Sequence, residues 1–260
     1  MDEETEEAIV ARLRHAGCVF AEDEAKLLVS EARSLESLKA MADRRASGLP
    51  LEYVLGWADF CGIRIAVDPG VFVPRRRTEF LVKQAAHYGM QGAVVADICC
   101  GTGAVGAALA KALGEIELYA ADIDPVSVQC ARRNLASLDG LVFEGDLCKP
   151  LPASLRGRVD IIAANAPYVP ARAIRLLPRE SRNHESLASL CGGRDGLDFH
   201  RRIAAEALHW LAPLGHVVVE TSRKQACQTT EIFSQKGLIP QAVHDSELDA
   251  AVVIGTKRAL

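Results

Sequence analysis

The sequence lacks the features of three broad classes of protein. It has no basic surplus, since the formal net charge is −4 and the isoelectric point is about 6.0. DNA-binding domains neutralise phosphates with Lys and Arg, so this balance argues against a dedicated duplex-DNA-binding domain. No apolar run approaches the roughly 18–20 residues of a membrane span. The N-terminus, "MDEETEEAIV", is acidic and lacks the basic and then apolar layout of a signal peptide.

The eight cysteines and seven histidines show no spacing typical of metal ligands. No two cysteines form a C-x-x-C pair, so we predict no zinc site and no other bound metal. The adjacent Cys99 and Cys100 are poorly suited to a shared structural disulfide. The chain also has no internal repeat and no low-complexity tract. We therefore expect a reduced, cytoplasmic protein without a membrane partner.

The first third of the chain predicts helices and one hairpin. Residues 1–47 have the acidic starts and glycine stops of short helices, and the third has apolar residues at helical spacing. Residues 54–67 favour a β-hairpin around Cys61 and Gly62, and a helix is predicted near 78–87. The predicted buried face of the third helix comprises Leu35, Leu38, Met41 and Ala42.

From residue 93 the pattern changes to alternating strands and helices, which predicts a parallel sheet with helices on both faces. The last two strands are joined by a short stretch, so they should pair antiparallel. Asp124 followed by Pro125 is a suitable cap and first-turn pair for a helix. The predicted strands are 93–98, 116–121, 141–144, 159–164, 215–220, 239–243 and 250–255, and the predicted helices are 103–113, 125–138, 198–211 and 223–236.

The stretch "VVADICCGTGAVGAALA", 94–110, is a strand, a glycine-bearing turn and a helix start. Its three glycines fit G-x-G-x-x-G, which lets a backbone approach a ligand at a helix N-terminus. Asp122 lies at the end of the next strand, where a carboxylate can accept both hydroxyls of a ribose. Asp146, after a third strand, could accept from an adenine amino group.

This arrangement fits more than one ligand. In NAD enzymes the strand runs almost directly into the first glycine, whereas here four residues, Asp97 to Cys100, intervene. The pattern D-x-x-x-G-x-G is typical of methyltransferases that bind S-adenosylmethionine, which has no pyrophosphate to hold. S-adenosylmethionine is therefore the favoured cofactor, with NAD or a glycine turn without any ligand as alternatives.

The stretch "VDIIAANAPYVP", 159–170, predicts a buried strand that ends in Asn165, Ala166, Pro167 and Tyr168. Ligands of open α/β sheets bind beyond the carboxyl ends of the strands. The Asn165 side chain and the Ala166 carbonyl can accept the two N–H groups of a planar NH₂, orienting its nitrogen for methyl transfer. The Tyr168 ring offers a flat face to a planar acceptor and to a nearby cation. The alternative is an ordinary strand-end turn, where Asn and Pro are common.

On these motifs the chain resembles the HemK/PrmC-type protein-(glutamine-N5) methyltransferases, which modify the GGQ glutamine of peptide-chain release factors. The family has N-P-P-Y where this chain has "NAPY". Its other segments resemble "ADICCGTGAVG", "LPLEYVLG", "VPRRRTE", "GGRDGLDFHRRI" and "DSELDAAVVIG". The resemblance covers roughly 25–255 and implies a Rossmann-like class I methyltransferase sheet. It implies that Asp97, Cys99, Cys100, Gly101, Thr102, Gly103, Asp122, Asp146, Leu147 and Asn165 bind the cofactor, and that Asn165, Ala166, Pro167 and Tyr168 hold the substrate amide.

The change of pattern near residue 90 divides the chain into a helical part with a hairpin, 1–88, and a methyltransferase domain, 89–260, and the resemblance implies that the first part recognises the substrate. Four features depart from the family pattern. Ala166 replaces a proline, Cys99 replaces a glycine, a Glu-Pro signature before "DGL" is missing, and the N-terminal part looks shortened. These departures bear on the identity of the protein substrate more than on the chemistry.

Several other residues have both a functional and a structural interpretation. The arginines at 75–77 and at 172, 175, 179 and 182 could bind a nucleic acid or an acidic partner, although a solvated surface is the simpler interpretation. His184 is a candidate proton acceptor. Phe72 and Pro74 either wall the cofactor pocket or pack a hinge. Cys99 and Cys100 are interpreted as small core residues, since direct methyl transfer needs no nucleophilic thiol.

Three functions remain open from the sequence. The favoured one is methylation of a glutamine side-chain amide in a protein, with a release factor as the implied partner. The second is methylation of an exocyclic amine or amide of a nucleobase or small metabolite. The third is a non-catalytic protein that senses the cofactor or scaffolds a partner.

Overall fold

The computed structural model describes residues 3–259, and Met1, Asp2 and Leu260, which fall within the predicted domain bounds, lie outside the described residues. Four helices come first and pack around an apolar cluster of their own. Leu38 and Ala42 are buried in it, whereas Leu35, expected on the same face, is 48% exposed because it is the first residue of its helix. The helices are α1 (Glu3–His15), α2 (Ala21–Glu31), α3 (Leu35–Ala46) and α4 (Leu51–Leu55).

A short antiparallel hairpin connects these helices to the rest of the chain. Its strands are β1 (Trp57–Phe60) and β2 (Ile63–Ala66), and both turn residues, Cys61 and Gly62, have positive φ, as a two-residue hairpin turn requires. The hairpin is shorter than predicted because α4 occupies 51–55. A single 3₁₀ turn at Arg76–Thr78 then leads into α5 (Glu79–Tyr88), close to the predicted helix.

The seven-stranded sheet has the order β5-β4-β3-β6-β7-β9-β8, which confirms the predicted α/β class. β9 is antiparallel to both of its neighbours, and the other pairs are parallel. The predicted antiparallel pairing of the last two strands is thus confirmed. The strands are β3 (Val94–Ile98), β4 (Glu117–Asp122), β5 (Leu141–Glu144), β6 (Val159–Ala164), β7 (Leu211–Thr221), β8 (Ile239–Asp245) and β9 (Ala250–Thr256).

Helices cover both faces of this sheet, and an apolar cluster fills each side. The predicted cap is confirmed, since the Asp124 side chain accepts from Val126 N and Ser127 N, with Pro125 in the first turn. No helix of the described residues is both long and apolar enough to cross a membrane. The helices are α6 (Ala104–Leu113), α7 (Pro125–Leu135), α8 (Arg179–His184), α9 (Leu187–Leu190), α10 (Asp198–Trp210) and α11 (Ala226–Gln235).

The two short helices α8 and α9 were not predicted. They lie between "NAPY" and α10, in a stretch whose arginines and polar residues show no helical periodicity. A 3₁₀ helix at Ala171–Leu176 precedes them. The far end of this stretch returns to "NAPY", because Val169 and Cys191 form an isolated bridge.

Candidate active site

A cavity of about 270 Å³ lies at the carboxyl ends of β3, β4 and β6. This is the edge at which an open α/β sheet binds its ligands. Segments from the hairpin, the glycine turn, "NAPY" and the α9 region all reach its wall. Among the predicted site residues, its wall includes Cys99, Cys100, Gly101, Thr102, Asp122, Asp146, Leu147, Asn165 and Pro167.

The glycine turn is held in shape by backbone hydrogen bonds. Cys100 N donates to Ala121 O at 3.1 Å, and Gly103 N donates to Cys100 O at 2.7 Å. Gly101 has a φ of 54°, and a Cβ placed on it would meet no atom within 4 Å. The turn therefore presents bare backbone to the cavity, as close approach of a ligand requires. Cys99, which replaces the family's glycine, has a φ of 58° and so occupies the left-handed region that a glycine would favour.

Two predicted cofactor residues lie behind this turn and not on the cavity wall. Asp97 is buried, and its Oδ2 accepts from Gly106 N at 2.9 Å, which ties the end of β3 to the first turn of α6. Burial, with Asp122 nearby, raises the pKa of Asp97 to about 7. A Cβ on Gly103 would lie 3.1 Å from Leu135 Cγ, so this glycine serves packing against α7.

Asp122 bridges the glycine turn and the loop after β4. Its Oδ2 accepts from Gly101 N at 2.8 Å and its Oδ1 from Asp124 N at 2.9 Å. Burial raises the pKa of this carboxyl, and the N–H groups of Asp124 and Gly101 oppose the shift. A carboxylate has about four acceptor positions, so each oxygen can accept one further hydrogen bond from a ligand in the cavity.

Asp146 lies further along the same wall and is paired with two basic side chains. Lys149 Nζ donates to Oδ2 at 2.6 Å, and Arg202 of α10 contacts both oxygens. These hydrogen bonds, the one from Lys149 first, lower the pKa of Asp146. Leu147, the next residue, is buried and has a positive φ of 53°. Phe199 of α10 adds an aromatic side chain to this end of the cavity.

The charge of the wall discriminates between the two cofactors considered from the sequence. Among the described residues, the charged side chains of the cavity wall are three aspartates and one arginine. The arginine is paired with Asp146. A negative wall is unfavourable for a pyrophosphate and favourable for a sulfonium cation. The bare turn at Gly101, the acceptor positions of Asp122 and this charge together fit S-adenosylmethionine and do not fit NAD.

The "NAPY" segment follows β6 directly and borders the cavity at one end. Asn165 Nδ2 donates to Thr78 Oγ1 at 3.2 Å, which leaves the Asn165 Oδ1 free to accept from a ligand. Pro167 also lines the cavity. Ala166 is buried and Tyr168 is half-buried, and neither side chain is part of the cavity wall. Burial, with Glu220 nearby, raises the pKa of the Tyr168 phenol.

The "GGRDG" segment braces the backbone of "NAPY". Gly192 N donates to Val169 O at 2.9 Å, and Gln225 Nε2 donates to Tyr168 O at 3.0 Å. A Cβ on Gly192 would lie 2.6 Å from Pro167 O, and one on Gly196 would lie 2.3 Å from Tyr168 O. Any side chain at these two positions would therefore displace the substrate loop.

The arginines at 75–77 are not simply a solvated group, contrary to the simpler interpretation of the sequence. Arg75 forms an ion pair with Glu185, and Arg77 Nε donates to Glu220 Oε1 at 3.2 Å. Both carboxylates are buried. The Arg77 guanidinium also lies 5.8 Å from the centroid of the Tyr168 ring. The segment before α5 is thus tied to two carboxylates that come more than 100 residues later in the chain.

The remaining candidate residues differ in whether they line the cavity. Phe72 and Pro74 line the cavity, in agreement with the pocket interpretation, whereas His184 lines a second cleft beside α3. Burial raises the pKa of the Cys99 and Cys100 thiols well above the usual value, which disfavours the thiolates that a nucleophile needs.

Sequence reasoning missed four residues of the site: Thr78, Phe199, Arg202 and Glu220. Glu220 follows the apolar run "VVV" near the end of β7, so the reasoning that identified Asn165, a polar residue after a buried strand, could have found it as well. The other three lie within "VPRRRTE" and "GGRDGLDFHRRI", two of the segments that resemble the family, although the resemblance did not single out these residues.

Comparison with known proteins gives consistent matches. The family model described as Methyltransferase small domain matches residues 62–177. A release factor glutamine methyltransferase of Geobacter sulfurreducens is 37% identical over 205 residues, covering 78% of this chain and 71% of that protein. One of Mycolicibacterium smegmatis is 32% identical over 249 residues, covering 89% and 88%.

Among solved structures, a methyltransferase from Pyrococcus furiosus superposes with a TM-score of 0.58 at 19% identity, covering 76% of this chain and 90% of that one. At this identity the likeness establishes the fold alone. With the seven-stranded sheet described above, this likeness confirms the predicted Rossmann-like methyltransferase sheet.

Proposed function

The chain belongs to the release factor glutamine methyltransferase family, and on that premise we propose that it methylates the side-chain amide nitrogen of a glutamine in a protein, with a peptide-chain release factor as the substrate. The methyl donor in this proposal is S-adenosylmethionine. The observation that carries it is Asn165, which borders the cavity and whose amide N–H donates to Thr78, so that the amide oxygen is left to accept from a substrate.

The cofactor half of the site would hold the donor without any covalent step. Asp122 would accept from the ribose hydroxyls, and Asp146 would accept from the adenine amino group while Leu147 packs beside the ring. The backbone at Cys99–Gly103 would lie against the methionine part. When bound, S-adenosylmethionine supplies an electrophilic methyl group on a positively charged sulfur, which the net negative wall favours.

The acceptor half would orient a weak nucleophile. The lone pair of an amide nitrogen is delocalised, so the nitrogen attacks only if the protein holds it in line and stabilises the charge that develops on it. Asn165 Oδ1 and the Ala166 carbonyl would each accept one N–H of the substrate amide. Both oxygens are fixed before the substrate binds, one through Thr78 and the other through the braced backbone of the loop.

The predicted division of the chain into two domains is part of this proposal. We assign substrate recognition to residues 1–88 and catalysis to residues 89–260. Arg45 of α3 supports the assignment, because this buried guanidinium pairs with Glu24 of α2 and with Glu180 of α8, which connects the helical part to the stretch after "NAPY". The adjoining α1–α2 loop exposes Val19 and Phe20, which are 82% and 68% accessible and could contact a protein. The eight free cysteines support a cytoplasmic location as part of the same proposal.

The test is transfer of an isotope-labelled methyl group from S-adenosylmethionine. Separate reactions should offer a release factor, the same factor with its GGQ glutamine changed to asparagine, a small-molecule extract and nucleic acid. We expect label on the glutamine of the first and none on the asparagine control. Label in the extract or the nucleic acid would favour the amine-methylation alternative, and cofactor binding without transfer to any acceptor would favour the non-catalytic one.

A further inference from the structure

Glu220 is a buried carboxylate close to the acceptor half of the site. It lies near the end of β7, and its side chain is 2% exposed. Its Oε1 accepts from the Tyr168 hydroxyl at 3.0 Å and from Arg77 Nε at 3.2 Å. Its Oε2 has no partner within hydrogen-bond geometry. Burial raises the pKa of Glu220, and Thr78, Arg77 and Tyr168 oppose that shift.

Thr78 connects Glu220 to the residue that would hold the substrate. Its hydroxyl oxygen accepts from Asn165 Nδ2 at 3.2 Å, and the same hydroxyl lies near the Glu220 carboxylate. A hydroxyl has one hydrogen to donate. With the oxygen of Thr78 accepting from Asn165, its hydrogen is left to be donated elsewhere, and the unpartnered Glu220 carboxylate oxygen is the acceptor near it. The geometry thus allows a one-way relay, in which Asn165 donates to Thr78 and Thr78 donates to the carboxylate.

Folding stability gives little reason for a carboxylate at this position. A buried charge with one unpartnered oxygen costs free energy, and a well-packed apolar side chain is often at least as stable. The relay, however, runs in one direction only if it ends at a group that accepts hydrogen bonds and donates none. An ionised carboxylate is such a group.

We propose that Glu220 is a positioning residue for methyl transfer, which fixes the Asn165 amide through Thr78 and the Tyr168 ring through its hydroxyl. This inference rests on the proposed function. Without Glu220 the Thr78 hydroxyl can turn and donate to Asn165 Oδ1. The Asn165 amide would then rotate, presenting N–H in place of an acceptor oxygen to the substrate N–H. Such a loss acts on the reacting geometry and so lowers kcat more than it raises KM.

The first variant is Glu220→Gln, which keeps the volume but offers one acceptor oxygen in place of two. We expect kcat for a release-factor peptide to fall about 10–100-fold, the scale measured where residues that orient active-site ligands are removed. KM should change less than about threefold. The affinity for the homocysteine product of the cofactor should not change.

The matched control is Glu185→Gln. Glu185 is equally buried, with a side-chain exposure of 1%, and it pairs with Arg75 of the same arginine run. Its recorded partners include neither Asn165 nor Tyr168. This variant should lose a similar amount of thermal stability while kcat stays within about threefold of the wild type. An equal loss of kcat in both variants would overturn the inference, because general loosening of the arginine segment would then explain it.

A third variant, Thr78→Val, completes a double-mutant cycle with Glu220→Gln. Valine keeps the shape of the threonine side chain and removes its hydroxyl. If the relay operates, the loss of kcat in the double variant should be clearly smaller than the product of the two separate losses, because both changes break the Thr78 connection and only Glu220→Gln also loosens Tyr168. Two independent losses that multiply would overturn the proposal.

A measurement without substrate separates this inference from the proposed function. The side-chain amide signals of Asn165, assigned by their loss in Asn165→Ala, should show slowed hydrogen exchange in the wild type and in Glu185→Gln. They should exchange faster in Glu220→Gln, and unchanged exchange there would contradict the positioning role. Absence of wild-type transfer to the release factor, with this exchange pattern intact, would contradict only the proposed substrate.

Discussion

The two halves of the cavity are held together by different parts of the chain. In the cofactor half, two of the carboxylates accept from backbone N–H groups, Asp97 from a residue 9 positions away and Asp122 from one 21 positions away, while Asp146 pairs with the Arg202 side chain. In the acceptor half, side chains bind side chains over long separations. Asn165 and Thr78 are 87 residues apart, and Arg77 and Glu220 are 143 residues apart.

This difference indicates how each half should respond to substitution. A turn whose backbone makes several hydrogen bonds keeps its shape when one side chain is changed. A loop oriented by single side-chain contacts loses its geometry when one of them is removed. We therefore expect catalysis to be most sensitive in the acceptor half, and cofactor binding and stability to change more moderately in the cofactor half.

The largest effect should come from Asn165→Ala, which removes one of two acceptors at the reacting nitrogen. Loss of one such preorganised group costs ~10²–10³ in rate. We expect kcat and kcat/KM to fall together in single-turnover transfer, with unchanged affinity for the cofactor product by calorimetry. A variant within about threefold of the wild type would mean that "NAPY" is only a turn, and the comparison between the halves would fail.

Asp122→Ala should have the next largest effect, on cofactor affinity. The ribose hydroxyls would lose their acceptor, and leaving such groups unpaired costs ~1–3 kcal/mol, or about 5–150-fold in Kd. At saturating cofactor, kcat should remain within about fivefold of the wild type because the acceptor half is intact. Asp122→Asn, which keeps an acceptor oxygen, is the matched control and should weaken binding less. Tight NADH binding by the wild type, with none for S-adenosylmethionine, would contradict the assignment of this half.

Asp97→Asn tests the buried carboxyl through the pH dependence of stability. The pKa of Asp97 is about 7 in the folded chain against 3.8 for the free group, so the folded state binds this proton more tightly. That contribution to stability is complete below about pH 4 and is lost as the pH rises through 7. Asparagine does not titrate, so the Tm of the wild type relative to the variant should fall by roughly 2–4 °C over this range for each kcal/mol lost. Parallel Tm curves would show that Asp97 keeps an ordinary pKa.

Cys99→Gly should have the smallest effect. Glycine relieves the positive φ at this position, worth about 1–2 kcal/mol, while the half-buried thiol loses its packing. We expect a net change in the free energy of unfolding within about 1 kcal/mol. Cys100→Gly is the matched control, because Cys100 is buried without a positive φ and should lose more than 1 kcal/mol. Equal losses in chemical denaturation would mean that the turn stores no strain at Cys99.

The same contrast explains what could be predicted from the sequence. The sheet and its flanking helices follow from the period of the apolar residues, and strand ends identify the sheet edge. Gly101, Asp122 and Asn165 were found because each lies at a fixed place in a local pattern. The long-range partners were not, since no spacing within a strand or helix connects Arg77 to Glu220 or Arg75 to Glu185.

Some residues of the predicted site do not lie on the cavity wall. Asp97 and Gly103 belong to the glycine-turn pattern, yet they support the turn from behind. A sequence pattern records which residues a turn needs, without separating those that face a ligand from those that face the core. The stretch between "NAPY" and α10 was the least predictable, because its glutamates Glu180 and Glu185 pair with arginines from distant parts of the fold.

The position of Glu220 in the chain has a consequence for synthesis. A ribosome that has added Leu147 has supplied the glycine turn and the aspartates of the cofactor half. Arg77 and Thr78 have also been made, but their carboxylate is still 73 residues away in the message. Any chain that stops between residues 148 and 219 therefore lacks the anchor of its acceptor loop. The order of translation makes the buried carboxylate behind the acceptor loop one of the last side chains of the site to be made, long after the glycine turn.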